Sequence, residues 1–180
     1  YVLGIKRHLG LPDKMHVLDR WAGARPNHRQ EYHVEEVAAL IIKDLITRAE
    51  EELDKRITRL VATYPPMFAA DRREGMRRAF KKAFEMLGRE LKDEDLVMEL
   101  DEATSGTFNY IYGTMMEQFR RFNVTSEKNH LLAFDFGGGT TDIALVTAEI
   151  KRVEGGRIAI NTHLRGLTGE ADFGGDNVTL

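Results

Sequence analysis

The sequence has no cysteine. That excludes a disulfide framework and any thiolate metal centre, and it fits a cytoplasmic chain. Neither sign of charge is in excess. Lysines and arginines number 26 and aspartates and glutamates 29, for a net charge of −3, so the overall balance gives no case for nucleic acid as a partner. No apolar run approaches the roughly 18 residues of a membrane span, and the first residues carry no signal-peptide pattern. His8, His16, His28 and His33 are scattered without metal-ligand spacing and read as surface or loop histidines. Tryptophan occurs once, at Trp21, and is expected to anchor the first segment against a neighbour.

The remaining composition, 42% hydrophobic and 31% charged over 180 residues, is that of a globular chain able to bury a core. The length suits one domain or two small halves. The clearest chemistry lies in residues 131–146, LLAFDFGGGTTDIALV. Two apolar runs around a glycine turn predict a pair of antiparallel strands. Gly137, Gly138 and Gly139 lack a Cβ, so the backbone can approach a ligand closely and present N–H groups to an anion. Asp135 and Asp142 stand at the two mouths of the turn. Carboxylates beside a phosphate cradle suit a hard cation such as Mg²⁺, held through waters. Thr140 and Thr141 add hydroxyls for a phosphate oxygen or a water. The plainer alternative is a glycine-rich hairpin with a solvated aspartate on each side. A P-loop is excluded by the missing Lys-[Ser/Thr] ending. A dinucleotide fingerprint is excluded because no helix-forming run follows the glycines.

Taken in order, residues 1–30 read as irregular, broken by Pro12, Gly23 and Pro26. Residues 32–55 predict a helix whose apolar face carries Val34, Val37, Ala38, Ile41, Ile42, Leu45, Ile46, Ala49 and Leu53. Residues 57–64 predict a strand stopped by Pro65-Pro66. Residues 71–87 predict a second helix with Asp71 as N-cap. Its basic side, from Arg72 to Lys82, is a surface for nucleic acid or an acidic partner or else a solvated face, and the apolar stripe of Met76, Ala79, Phe80, Ala83, Phe84 and Leu87 opposite it favours the solvated face. A short strand at 96–100 leads to a helix from about Thr104 to Arg121. Residues 123–129 read as a polar connector, Gly155-Gly156 as a turn, and 157–164 as a third strand. The class is α/β: α-β-α-β-α over 32–121, then a three-stranded meander over 131–166.

The hairpin resembles the second phosphate motif of the actin-like ATPase superfamily, most closely that of the seventy-kilodalton heat-shock chaperones. Other segments follow in the same order. Residues 5–10, IKRHLG, resemble that family's Lys-Arg-x-x-Gly segment. Residues 61–68, VATYPPMF, are similar to its Val-Pro-Ala-x-Phe strand end. Residues 101–104, DEAT, are similar to its Asn-Glu-Pro-Thr segment. Residues 169–176, GEADFGGD, resemble its Gly-Asp-x-x-Leu-Gly-Gly-x-Asp turn. The Asp-Glu-Ala-Thr and Gly-Thr-Thr-Asp spellings, and a longer stretch from Phe80 to Glu102, mark a divergent relative.

The resemblance implies a ribonuclease-H-like, actin-like ATPase fold in incomplete form: the end of lobe I joined to the start of lobe II. Residues 1–30 would be a remnant of upper lobe I, 31–122 its C-terminal part, and 123–180 the N-terminal part of lobe II. It implies ATP and Mg²⁺ as cofactors and a protein partner or downstream substrate domain. Glu102 would position the attacking water near the γ-phosphate. Read without the family, it is an acid at a helix start. Asp135 and Asp142 would hold Mg²⁺ through water, and Gly137, Gly138, Gly139, Thr140 and Thr141 would bind phosphate. Gly174 and Gly175 are weaker candidates on the nucleotide side. Pro65 and Arg73 would relay nucleotide state to the partner domain. The family's first phosphate motif, catalytic lysine and adenosine segment have no counterpart in these residues. The sequence therefore reads as a piece of a longer protein, expected to bind ATP weakly and turn it over negligibly in isolation. The alternatives are another actin-like ATPase, a sugar-kinase-like phosphotransferase, and a non-catalytic interaction module.

Overall fold

In a computed structural model of the chain, residues 5–11, 15–19, 29–170 and 173–175 are described. The chain divides into two units, residues 1–62 with 68–98, and residues 63–67 with 99–180. The division falls before the helix that starts at Glu102.

The first unit opens with helix α1 (Ile5–His8) and strands β1 (Met15–Asp19) and β2 (Arg29–His33). The two strands pair antiparallel, Met15 opposite His33 and Asp19 opposite Arg29, so part of the segment expected to be irregular is a ladder. Pro12, Trp21, Gly23, Pro26 and His28 lie outside the described residues.

Helix α2 (Val34–Leu53) starts two residues later than its periodicity suggests, because Tyr32 belongs to β2 and His33 is the cap. The His33 imidazole accepts the Glu35 N–H, and the His33 N–H donates to Glu36 Oε2 at 3.0 Å. This reciprocal arrangement satisfies two donors at once, with histidine in the place usually held by serine or threonine. Val34, Val37, Ala38 and Ile46 are buried as expected, whereas Ile41, Leu45 and Leu53 are exposed. Helix α3 packs on α2, and the apolar stripe of α2 is wider than the face buried there.

Helix α3 (Ala70–Met86) begins before Asp71. Its N-cap is Ala69, with no side-chain hydrogen bond, and the Asp71 carboxylate instead accepts the adjacent Arg72 N–H at 2.8 Å. Asp71 therefore serves the positive end of the helix as a first-turn acid, not as the cap. The predicted stripe is buried at Ala79, Ala83 and Phe84. Phe84 joins Ile46, Leu91 and Leu96 in a core supported by Ile42, Ile57 and Leu60. A Cβ at Gly75 would overlap the backbone of Gly10, so α3 and the turn after α1 meet backbone to backbone.

Strands β3 (Leu60–Val61) and β4 (Leu96–Val97) form a parallel ladder two residues long. Both were expected to be longer. The backbone of Ile57 is bonded elsewhere: its N–H reaches Glu50 Oε1 at 2.6 Å and its C=O accepts Arg89 Nη1 at 3.2 Å. Pro65 and Pro66 have no N–H to extend the other end.

In the second unit, helix α4 (Glu102–Tyr110), a widened turn at Ile111–Met115 and helix α5 (Met116–Arg121) run continuously. They pack on an antiparallel sheet of β5 (Ser126–Phe136), β6 (Thr141–Arg152) and β7 (Ile158–Glu170), with β6 central. The predicted meander is present. β5 begins five residues before residue 131, and Lys128 joins Glu149 across the ladder at 3.0 Å, so most of the expected connector is strand. β7 runs six residues past Leu164 after a bulge opposite Leu145 and Val146. Gly155 and Gly156 turn between β6 and β7 with φ of 77° and 74°, a backbone that glycine adopts without penalty.

The core lies between the helix and the sheet: Ile111, Met115, Met116 and Phe119 against Ala148 and Ile150. Alternation in β6 places Asp142, Ala144, Val146, Ala148 and Ile150 on one face, all buried. Arg152 closes the end of α5. Its guanidinium lies 5.2 Å from the Phe119 ring centroid and donates to Val124 O and Phe119 O.

Candidate functional site

Asp101 starts the site. Its carboxylate accepts the Thr104 N–H at 2.8 Å and caps α4. The next residue, Glu102, donates its own N–H to Tyr64 O at 2.9 Å, beside an isolated parallel bridge between Tyr64 and Asp101. A cap and a bridge thus fix where Glu102 leaves the backbone. Glu102 is a helix-start acid, as its local sequence suggested, and this position also puts it on a cavity.

The hairpin folds as the sequence predicted. Asp135 lies directly opposite Asp142, and Phe136 opposite Thr141, leaving residues 137–140 as the turn. Directly opposed residues share a face, so the two carboxylates stand side by side. Asp142 is 2% exposed, whereas Asp135 is open to solvent. Thr140 Oγ1 donates to Asp142 Oδ2 at 3.3 Å. The Gly137 N–H donates to Thr140 O at 2.9 Å, so Gly137 closes the turn and does not offer that N–H to an anion.

Close approach, not left-handed backbone, explains Gly169 and Gly174. On β7 the residue opposite Asp142 is Gly169, and a Cβ there would overlap Asp142 Oδ1 and come within 3.1 Å of Met67 Cγ. A Cβ at Gly174 would sit 2.7 Å from Gly137 O and the Gly138 carbonyl. The Gly175 N–H donates to Gly137 O at 2.8 Å, and Thr141 Oγ1 donates to Phe173 O at 2.8 Å. Residues 173–175 are therefore stitched to the turn, which brings Gly174 and Gly175 to Gly137 and Thr141. Asp172 and Asp176 lie outside the described residues.

A cavity of about 570 Å³ runs between α4 and β5. Glu102, Gly106, Thr107 and Tyr110 form one wall, and the strand from His130 to Asp135 forms the other. Glu102 and Asp135, 33 positions apart in sequence, thus face one space. Pro65, fully buried, belongs to the second unit, and Arg73, on α3, to the first.

Three contributors escaped the sequence reading. Asp101 is the cap, although the Asp-x-x-Thr spacing was there to be read. Gly169 seats Asp142, and its only signal was its place in the last motif. The Thr104 hydroxyl is buried in the first turn of α4 without a hydrogen-bond partner among the described residues. Such a group costs about 1–3 kcal/mol unless a water or ligand reaches it.

Among the described residues no group of three or more His, Cys, Asp or Glu could hold a metal. Two aspartates without further protein ligands match Mg²⁺, which keeps several waters and takes one or two carboxylates plus phosphate oxygens; they do not match a zinc or calcium cage. No helix among the described residues is long and apolar enough to cross a membrane. A sequence model of the Hsp70 protein family matches residues 14–177, a span that includes the hairpin, Glu102 and the glycines at 169, 174 and 175.

Proposed function

Because the chain belongs to the Hsp70 family, we propose that its second unit supplies one wall of a Mg·ATP site, and that the parent protein hydrolyses ATP to switch a partner domain. The observation that carries this reading is the hairpin itself, with Asp135 and Asp142 paired across it and Asp142 buried on Gly169. Two carboxylates forced side by side repel unless something positive or protic lies between them. Thr140 answers part of that demand for Asp142. A bound Mg²⁺ would offset the repulsion between the two carboxylates and would supply charge neutralisation for the phosphates.

The chain's own residues have separable tasks. The turn 137–140 orients the terminal phosphate, and the Thr140 and Thr141 hydroxyls hold that turn in shape through Asp142 and Phe173 O. Asp135 would hold a Mg²⁺ ion through water. Glu102, at the cavity wall, holds the attacking water by accepting its hydrogen bond and takes its proton as the phosphoryl group leaves. Pro65 and Arg73 relay nucleotide state to the partner domain.

Calorimetry of Mg·ATP on the full-length parent, wild type against Asp135→Ala, tests the reading. The variant is expected to bind at least tenfold more weakly, about 1.4 kcal/mol, and to lose its dependence on Mg²⁺. An intact parent that binds no nucleotide, or a variant that binds as well as wild type, removes this function.

A further inference from the structure

The helix that starts at Glu102 has two ends with different duties. Up to Tyr110 it lines the cavity. Beyond it, Met115, Met116 and Phe119 are buried against Ala148 and Ile150. Between the two, the turn Ile111–Met115 is widened to π form, and the Met116 N–H bonds back five residues to Ile111 O. Such a turn holds one residue more than α geometry allows, with poorer hydrogen bonds, and recurs at functional sites.

The burial pattern shows what sustains it. Ala103, Thr107, Ile111, Met115 and Phe119 are all buried, a step of four each time, and Met116 is buried with them. At about 100° per residue, a straight α-helix would carry Phe119 roughly 160° and Met116 roughly 220° round from Ala103. One extra residue turns everything beyond it back by about 100°, which brings both within roughly 120° of Ala103. That is the width of a single apolar face. Of the turn's five residues, Ile111 and Met115 are buried in the core, whereas Tyr112, Gly113 and Thr114 are exposed, and among the described residues nothing stands within 4 Å of where a Cβ on Gly113 would be.

We infer that the π turn at Ile111–Met115 is a positioning element. It sets the rotation of Glu102 and its cavity wall relative to the hydrophobic seat at Phe119. None of its five residues lines the cavity, so it acts on the site through the helix alone.

The test is deletion of Gly113, which removes one residue from the turn and no packing contact. Gly113→Ala serves as the control of unchanged length. The activity readout rests on the nucleotide function proposed above. In the full-length parent, the deletion is expected to lower Mg·ATP turnover at least tenfold while affinity changes less than threefold, because the phosphate turn is not on the helix. Gly113→Ala is expected to keep both. A merely destabilised protein would lose affinity and turnover together, and that result, or wild-type turnover in the deletion, overturns the inference. If the wild type binds no nucleotide, the proposed function has failed and the NMR chemical shifts of Glu102 in the folded protein decide. A shift in the deletion but not in Gly113→Ala supports the positioning role, and unchanged Glu102 shifts overturn it. If the deletion does not fold, the wild type is read directly by NMR coupling across the hydrogen bond of the Met116 amide. Coupling to the Ile111 carbonyl supports the inference, and coupling to the Tyr112 carbonyl overturns it.

Discussion

Asp142 is held by what is absent beside it. The neighbouring strand offers Gly169, and any larger residue would occupy the space of the carboxylate. Gly169→Ala is therefore expected to push Asp142 out of its seat, costing about 1–3 kcal/mol of stability through overpacking, and to weaken Mg·ATP binding with it. Thermal melts and calorimetry on the same variant check both. An alanine variant with wild-type affinity would show that the seat is irrelevant to the ligand. A second residue-scale case lies in the first unit. Arg89 donates to both oxygens of Glu50, and the Ile57 N–H adds a further bond. These hold the Glu50 carboxyl below its ordinary value of 4.5, the Arg89 hydrogen bond contributing most. The folded protein then binds a proton less readily than the unfolded chain. The resulting stability is present above the unfolded value and is lost as pH falls through the depressed one. Urea midpoints of wild type and Glu50→Gln should differ at neutral pH and converge as pH falls from the ordinary value through the depressed one. A gap that stays constant on acidification would assign the difference to packing. Asp135, Asp142 and the glycine turn were legible in the sequence because their order is local. Gly169 was hidden because its role depends on the register of a third strand.

At the scale of elements, the same distinction explains which boundaries were readable. The helices α2 and α3 follow their apolar periodicity, and the meander follows alternation and its glycine turns. Strand ends do not, because they depend on where each backbone group finds a partner. Ile57 looks like strand but is bonded by Glu50 and Arg89, while the polar residues from Ser126 to Asn129 pair with Lys151 to Ala148 on β6. The widened turn was equally hidden, since neither Tyr112 nor Gly113 announces it. Caps sit between these cases. Asp71 had the right residue type in the wrong place, and Asp101 had both. Asp101→Ala is expected to cost about 1 kcal/mol, within 0.5–2, by leaving the Thr104 N–H without its acceptor. Its effect should reach beyond stability, because α4 begins the path that holds Glu102. Turnover of the parent is expected to fall more than the loss of folded protein explains, whereas Asp101→Asn, which still caps, is expected to retain it. Equal turnover in the alanine and asparagine variants would separate the cap from the site.

For the molecule as a whole, the informative fact is that each unit has a core of its own among the described residues. Phe84 is buried with Ile46, Leu91 and Leu96 in the first unit, and Phe119 with Ile111, Met115 and Ile150 in the second. Each core is built from residues of its own unit, and each centres on a phenylalanine with almost no exposure. Protein chains open in cooperative pieces that follow such packing. Truncating either ring to alanine is expected to cost about 3–5 kcal/mol, and the cost should be local. Phe84→Ala is expected to speed amide hydrogen exchange in α2 and α3 while leaving β6 protected. Phe119→Ala should do the reverse, exposing α5 and β6 and sparing α3. Uniform acceleration across both units in either variant would mean that the two cores open as one. The nucleotide reading sharpens the test. Mg·ATP at about 100 times its Kd adds roughly 2.7 kcal/mol to whatever state binds it, and the proposed phosphate turn, Glu102 and the cavity all belong to the second unit. Ligand should therefore restore protection in Phe119→Ala of the full-length parent more than in Phe84→Ala. Restoration confined to α2 and α3 would place the binding energy on the wrong core and contradict the proposed site.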